Sequence, residues 1–401
     1  MNSEVEEAHR RHWPSVLAAT VRLTRDLDLA EECAQEAFVR AIRVWGNEVP
    51  RNEVAWLTTV AMRIALDRMR REATLRRKLP MLVVEEEHSG EDSADLLRLI
   101  FMCCHPSLSE DAQLAMTLRL VCGLTTPEVA SVLLVKESTA AARITRAKRK
   151  IATSAIPFRL PSEDDLPARL ETVVTIVHLI YTAGHTASGT DLTRIDLISS
   201  ALQLSRTLYQ TMPEEPEVKG LLALVLLGKA RNAARLGDDG ELRLLSDQDR
   251  TKWDRRLLSK GIHLATEALR DANIKGGPGR VVLQAAIAGL HSVAPSWEAT
   301  DWTQVVTMYD GLMQRWPSPV VALNRCAASS LVPGVDLEEV LTSLDDLSSD
   351  PMLEGYVYLP ATRADILSRL GRTEEARVAY REALELARND RERRFLRRRQ
   401  G

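Results

Sequence analysis

Apolar residues recur three and four positions apart along most of the 401-residue chain. That is the spacing of helices with one side facing a core. Only one short hairpin is suggested, by Asp238-Asp239-Gly240 followed by Glu241-Leu242-Arg243-Leu244-Leu245. The expected fold class is therefore all-α. Within 28–45, Leu29, Cys33, Ala37, Phe38 and Ile42 form an apolar stripe. Glu31, Glu32, Gln35, Glu36 and Arg40 lie on the other side. After Pro50 and Asn52 a second helix runs from Val54 to about Arg71. Leu57, Ala61, Ile64 and Ala65 can face its core, while Arg63, Asp67, Arg70 and Arg71 recur on another face. Three stretches interrupt the periodicity. Residues 79–95, with Glu85, Glu86, Glu87, Gly90, Glu91 and Asp92, read as an acidic linker. Pro157 to Pro167, with Ser162-Glu163-Asp164-Asp165, reads as a domain boundary. Lys275-Gly276-Gly277-Pro278-Gly279 reads as a loop. The expected domains are 1–78, 96–155 and 169–401, joined by linkers at 79–95 and 156–168.

Composition adds limits. Hydrophobic residues at 45% and charged residues at 27% exclude a disordered chain. No apolar run approaches the roughly 20 residues that a bilayer requires, so no membrane association is expected. Residues 1–11 are polar and lack the apolar stretch of a secretory signal, and a cytoplasmic protein is expected. Five cysteines without a CxxC pair agree with a reducing compartment.

The net charge of −3 does not suggest nucleic-acid binding, but local patches decide it. Residues 63–78 hold seven cations against two anions, which suits a polyphosphate partner or simply a solvated face. Trp56 lies one turn earlier and can pack in a core or touch a base. Residues 123–151 are more specific. Gly123-Leu124 ends a helix. Thr125 can cap the next one, with Glu128 completing a capping box and Pro127 in the first turn. Val129, Ala130, Val132 and Leu133 give it an apolar face. After a break at Val135-Lys136-Glu137, Ser138 caps a third helix that runs to Ile151. Ala140, Ile144, Ala147 and Ile151 form its buried face. Thr139, Arg143, Arg146 and Lys150 form its exposed face, with Lys148 and Arg149 beside it. Five cations and no anion fall within 138–150. A cationic helix after a tight turn is what a major-groove reader needs, the plain alternative being a basic surface helix. Arg143 and Arg146 are the foremost base or phosphate contacts.

Catalytic chemistry is not expected. Cys103-Cys104-His105 has the wrong spacing for a zinc site and suits helix-end packing. Asp247-Gln248-Asp249-Arg250 with Trp253 suits a buried ion-pair network between helices better than a ligand or acid/base site. No P-loop, GxSxG or HExxH occurs. No catalytic residue, metal or cofactor is assigned.

Taken in order, these strings resemble the extracytoplasmic-function (ECF) group of bacterial sigma factors over about residues 8–152. Asp28, Ala30-Glu31-Glu32, Gln35-Glu36 and Phe38 resemble the helix that docks on RNA polymerase. Ala55-Trp56-Leu57 and Ala65-Leu66-Asp67-Arg68-Met69-Arg70-Arg71 resemble the helix that opens and reads the −10 element. Residues 123–151 resemble the module that reads the −35 element. The resemblance implies partners in core polymerase, through its beta and beta-prime subunits, and in promoter DNA. It implies polymerase contacts at Asp28, Glu31, Glu32, Gln35, Glu36 and Arg40. It implies −10 contacts at Trp56, Arg63, Asp67, Arg70 and Arg71. For the −35 element it implies Thr126, Ser138, Thr139, Arg143, Arg146, Lys148, Arg149 and Lys150. The acidic linker would thread toward the polymerase cleft, or serve as a plain tether. Arg63 stands where many members carry Asn, and Lys136 where relatives often have Pro.

The remainder resembles the sigma-factor subfamily with a fused tetratricopeptide-like (TPR-like) domain. Leu170 to Tyr181, Gly220-Leu221-Leu222-Ala223-Leu224, Thr300-Asp301-Trp302 and Ser318 to Arg325 carry that likeness. A repeat at 361–389 holds Ala364, Leu367, Gly371, Ala376, Tyr380, Ala383 and Leu384. The six arginines within 391–399 would cap it. The expected function is promoter-specific initiation, with the C-terminal domain modulating activity through a protein or peptide regulator. The alternatives are a DNA-tethered TPR-like scaffold, a non-sigma transcriptional regulator, or an enzyme acting through Asp247, Asp249 and Trp253.

Overall fold

A computed structural model describes residues 2–45, 49–76, 91–133, 135–154, 156–162, 164–185, 195–235, 237, 243–387, 393–394 and 396–397. They form helices, with no strand among them. The chain divides into two compact units, Met1–Ala183 and Gly184–Gly401.

In the first unit α1 (Asn2–Thr24), α2 (Leu27–Val44) and α3 (Glu53–Arg76) pack on one another. Trp13, Val16, Leu17, Ala37 and Leu57 are buried in their core. Asp26 caps α2, accepting from the backbone N–H groups of Asp28 and Leu29. The buried face of α2 is wider than the expected stripe and rotated from it. It holds Leu27, Ala30, Glu31, Ala34 and Ala41 beside Cys33, Ala37 and Phe38. Ile42, expected inside, is 47% exposed. The rotation follows from packing against three helices, as α2 also meets α7.

Helix α4 (Glu91–Cys103) packs on α1. The end of the expected linker, 91–95, is therefore helix. Asp95 is 1% exposed rather than solvated, because Arg98 lies 2.6 Å and Arg22 3.1 Å from its carboxylate. Helix α5 (Glu110–Met116) continues through a π-turn at Thr117–Val121. Gly123, at φ +70°, ends it. Helices α6 (Thr126–Val132) and α7 (Glu137–Thr153) follow, and α8 (Leu166–His185) closes the unit. The sequence had placed α8 with the C-terminal residues 169–401.

The second unit is a serial array: α9 (Ile195–Thr211), α10 (Pro216–Ala230), α11 (Arg255–Ile274), α12 (Arg280–Val293), α13 (Trp302–Arg315), α14 (Pro319–Ser329), α15 (Leu337–Leu347), α16 (Tyr358–Arg369) and α17 (Thr373–Leu386). Each packs on the next. Helix α10 is apolar almost all round and is buried on most sides. A Cβ on its Gly220 would lie 3.0 Å from Val282 Cα, so a side chain there would press on the α12 backbone. Ala364, Leu367, Ala376, Tyr380 and Ala383 of the repeat string are buried in the core of α14–α17. The expected hairpin is not formed in its described part. Leu245–Asp247 is a 3-10 turn, and the Arg243 N–H donates to the Arg235 carbonyl at 2.9 Å. Residues 238–242, the linker over 79–90, Arg77, Lys78, Arg391, Arg398 and Arg399 lie outside the described residues.

Candidate functional site

The helix-turn-helix forms as its capping chemistry dictates. Thr125 Oγ1 accepts from the Glu128 N–H, and the Glu128 carboxylate accepts from the Thr125 N–H at 2.7 Å. Thr126 follows, half-buried in the first turn. Helix α7 starts earlier than the sequence suggested. Its N-cap is Lys136, with no side-chain cap bond, so Ser138 lies inside the first turn and caps nothing. Glu137 at the start suits the positive end of the helix dipole. Ala140, Ile144, Ala147 and Ile151 are buried as expected.

The candidate DNA contacts on α7 differ in accessibility. Ser138, Arg146, Arg149 and Lys150 are exposed, and Thr139 is half-buried. Arg146 Nε donates to its own helix at the Ala142 carbonyl, 3.2 Å away. Arg143 pairs with Asp111 of α5 at 2.8 Å. Lys148 faces α2 instead of solvent, 2.7 Å from Asp28 Oδ1 and 2.6 Å from Glu31 Oε2. Burial works against its charge, and the hydrogen bonds it donates to the two carboxylates outweigh it, raising its pKa.

On α3, Arg63, Asp67, Arg70 and Arg71 are all exposed on one face. Trp56 is half-buried and meets Trp45 edge-on at 5.5 Å, so it packs as well as presenting an edge. Arg68 points back to α2, 2.6 Å from Glu32 and 2.9 Å from Glu36.

On α2, the implied polymerase contacts separate into two groups. Asp28, Glu32, Gln35 and Arg40 are exposed, while Glu36 is half-buried. Hydrogen bonds from Arg40, and then from Arg68, hold Glu36 below the usual carboxylate range. Glu31 is 6% exposed, and Arg119 of the π-turn binds its second oxygen. Sequence reasoning missed Val39 and Ile42, which are 45% and 47% exposed. Their spacing continues the exposed row Asp28, Glu32, Gln35 along α2. That 3–4 spacing was the available signal.

In the second unit a groove of about 830 Å³ is lined by Trp297, Trp302, Tyr309, Asn324, Asp365 and Arg369, among others. Asp247 and Asp249 are exposed, so the expected burial of an ion-pair network at 247–253 is not found. Asp249 caps a 3-10 turn through Thr251, and Asp247 accepts from Ser246 at 2.9 Å. Arg250 lies over the Trp253 ring and donates to the carbonyls of His291 and Ala294. Cys103 and Cys104 are buried at the end of α4, and burial pushes the Cys104 thiol up to about 12.

Comparison with known proteins finds three matched regions. The family model for sigma-70 region 2 matches residues 8–74. That for sigma-70 region 4 matches 98–151. Residues 169–269 match a family of unknown function, DUF6596. An uncharacterized protein of Rhizobium meliloti (strain 1021), R00370, is 37% identical over 397 residues, covering 96% of this chain and 92% of its own. A probable ECF RNA polymerase sigma factor of Mycobacterium tuberculosis, SigI, is 27% identical over 164 residues. That match covers 38% of this chain and 56% of SigI. No solved structure matches.

Proposed function

We propose that this chain, which belongs to the family of the Rhizobium meliloti protein R00370 and carries sigma-70 regions 2 and 4, is an ECF-type sigma factor. It binds core polymerase through the exposed row on α2. It opens and reads the −10 element with α3, through Trp56, Arg63, Asp67, Arg70 and Arg71. It reads the −35 element with α6 and α7. The observation that carries this reading is the pairing of the two matched regions with the α7 surface. Exposed Arg146, Arg149 and Lys150, with Arg143 beside them and no anion within 138–150, follow a capped helix and a tight turn. Such a surface releases counterions from phosphate and can enter a major groove. The covalent chemistry belongs to the polymerase, so no catalytic residue is assigned. The chain works in the cytoplasm with the polymerase and its promoters, and no described helix is long and apolar enough to cross a membrane.

The second unit modulates this activity. The support is its serial helical array with an aromatic-lined groove, an architecture suited to a protein or peptide partner. The unit is a TPR-like domain of paired helices.

Reconstituted transcription tests the reading, with core polymerase, this chain and promoter fragments from its own genome. Initiation from a defined subset is expected. Arg146→Ala, at an exposed position that packs no core, is expected to lower promoter-dependent output about tenfold without changing the melting temperature. Duplex DNA binding without polymerase, combined with no initiation, would instead favour a DNA-tethered scaffold.

A further inference from the structure

We infer that the free chain is closed on itself: Arg119 and Lys148 of the −35 module occupy the α2 carboxylates Asp28 and Glu31, and polymerase must displace them to dock. The inference rests on the functional reading above, since it takes α2 as the polymerase helix and α7 as the DNA helix.

Glu31 is the centre of the contact. Its side chain is 7% exposed and is held from both sides. Arg119 binds one oxygen, and Lys148 lies 2.6 Å from the other. Lys148 also reaches Asp28, so its ammonium is held by two carboxylates. The contact has a fixed frame. Trp13 Nε1 donates to the Leu120 carbonyl at 3.1 Å, next to Arg119 in sequence. Gly123 lies against the Trp13 ring, where a Cβ would come within 3.1 Å of Cδ1. Arg119 itself donates to the Leu124 carbonyl at 3.0 Å, which orients it toward α2.

The contact joins carboxylates assigned to polymerase with Lys148, which is assigned to DNA. Asp28 and Glu31 cannot serve Lys148 and polymerase at the same time. Lys148 cannot serve Glu31 and a DNA phosphate at the same time. Closure therefore competes with both ligands, and linkage makes the competition reciprocal. Polymerase that takes α2 releases Lys148, so the DNA helix gains its full charge only on the enzyme.

A zero-length cross-link tests this directly on the full chain. Carbodiimide joins an amine to a carboxylate only in contact, with loss of water. In the free chain we expect a Lys148–Glu31 or Lys148–Asp28 amide, read by peptide mass spectrometry. Saturating core polymerase should suppress it about fivefold or more. Arg119→Gln loosens the contact without touching the α2 carboxylates or the α7 cations. It should bind core about fivefold tighter than the wild type. Should Arg119→Gln fail to fold, Lys148→Gln loosens the same contact from a helix surface and should shift core affinity in the same direction. A cross-link that is absent from the free chain, or equally strong in the core complex, overturns the inference. So does core affinity unchanged in the folded variants. If neither wild type nor variants bind core, the sigma-factor reading itself fails, and the inference fails with it.

Discussion

Gly123 takes φ +70°, a backbone region in which an L side chain is strained, and its missing Cβ leaves room for the Trp13 ring. Gly123→Ala should therefore lower stability by about 1–2 kcal/mol from the backbone alone. A thermal melt of the full chain checks this, and an unchanged melting temperature would contradict it. His291 makes a second prediction, in the other unit. Burial first, then Arg231 and Arg250, push its pKa down to about 4. The ring stacks on Trp297 and meets Trp302 edge-on. An unfolded histidine titrates near 6.5, so between pH 6.5 and 4 the unfolded chain binds a proton that the folded chain refuses. Stability falls as pH falls through that window, by on the order of 3 kcal/mol from this group. Above pH 6.5 the group contributes no pH dependence. His291→Phe keeps the stacking and should flatten this part of the pH profile in urea unfolding. Identical pH slopes for the two proteins would refute the assignment. Glu31 shows why single residues were read incompletely. A glutamate among polar neighbours is assigned to solvent by default. Its burial depends on Arg119, 88 positions away, and Lys148, 117 positions away, which no local pattern reports.

The capping box at Thr125–Glu128 is an element whose chemistry was legible, because cap and partner lie three residues apart. Thr125→Ala should cost about 1 kcal/mol, felt as fraying of α6, and should weaken −35 binding by severalfold. A melt paired with a duplex titration would check both. The start of α7 was less legible. Ser138 has the chemistry of a cap, but the backbone of Lys136 already accepts from the Thr139 and Ala140 N–H groups, so the helix begins two residues sooner. Across the motif, the Arg143–Asp111 pair joins α7 to α5 with side chains 22% and 67% exposed. Exposed pairs of this kind contribute under about 1 kcal/mol. Asp111→Asn should therefore leave stability within about 0.5 kcal/mol while releasing Arg143 for phosphate. The expected signature is tighter duplex binding with a salt slope steeper by up to about one. An unchanged slope would show that Arg143 does not reach DNA.

For the whole molecule, periodicity foretold the helical class, but not where the chain divides. Most of the stretch from Pro157 to Pro167 lies between α7 and α8, which starts at Leu166. The compact first unit nevertheless continues to Ala183, while the DUF6596 match begins at 169. Helix α8 therefore belongs to the compact first unit and also falls within the DUF6596 match. Within the first unit, Arg169 of α8 donates to the Phe101 carbonyl and lies 5.8 Å from the centre of its ring. Phe101 is fully buried, so its carbonyl has little recourse to water once the guanidinium is gone. Cutting the chain after residue 160 should therefore destabilise the −35 module, by about 1–3 kcal/mol for the orphaned carbonyl. Cutting after His185 should leave it intact. Melting temperatures of the two truncated chains decide the matter, and equal values would remove α8 from the first unit. Only the longer form then provides a clean comparison with the full chain in transcription. With the shorter form, lost activity could come from a damaged −35 module as readily as from the missing array.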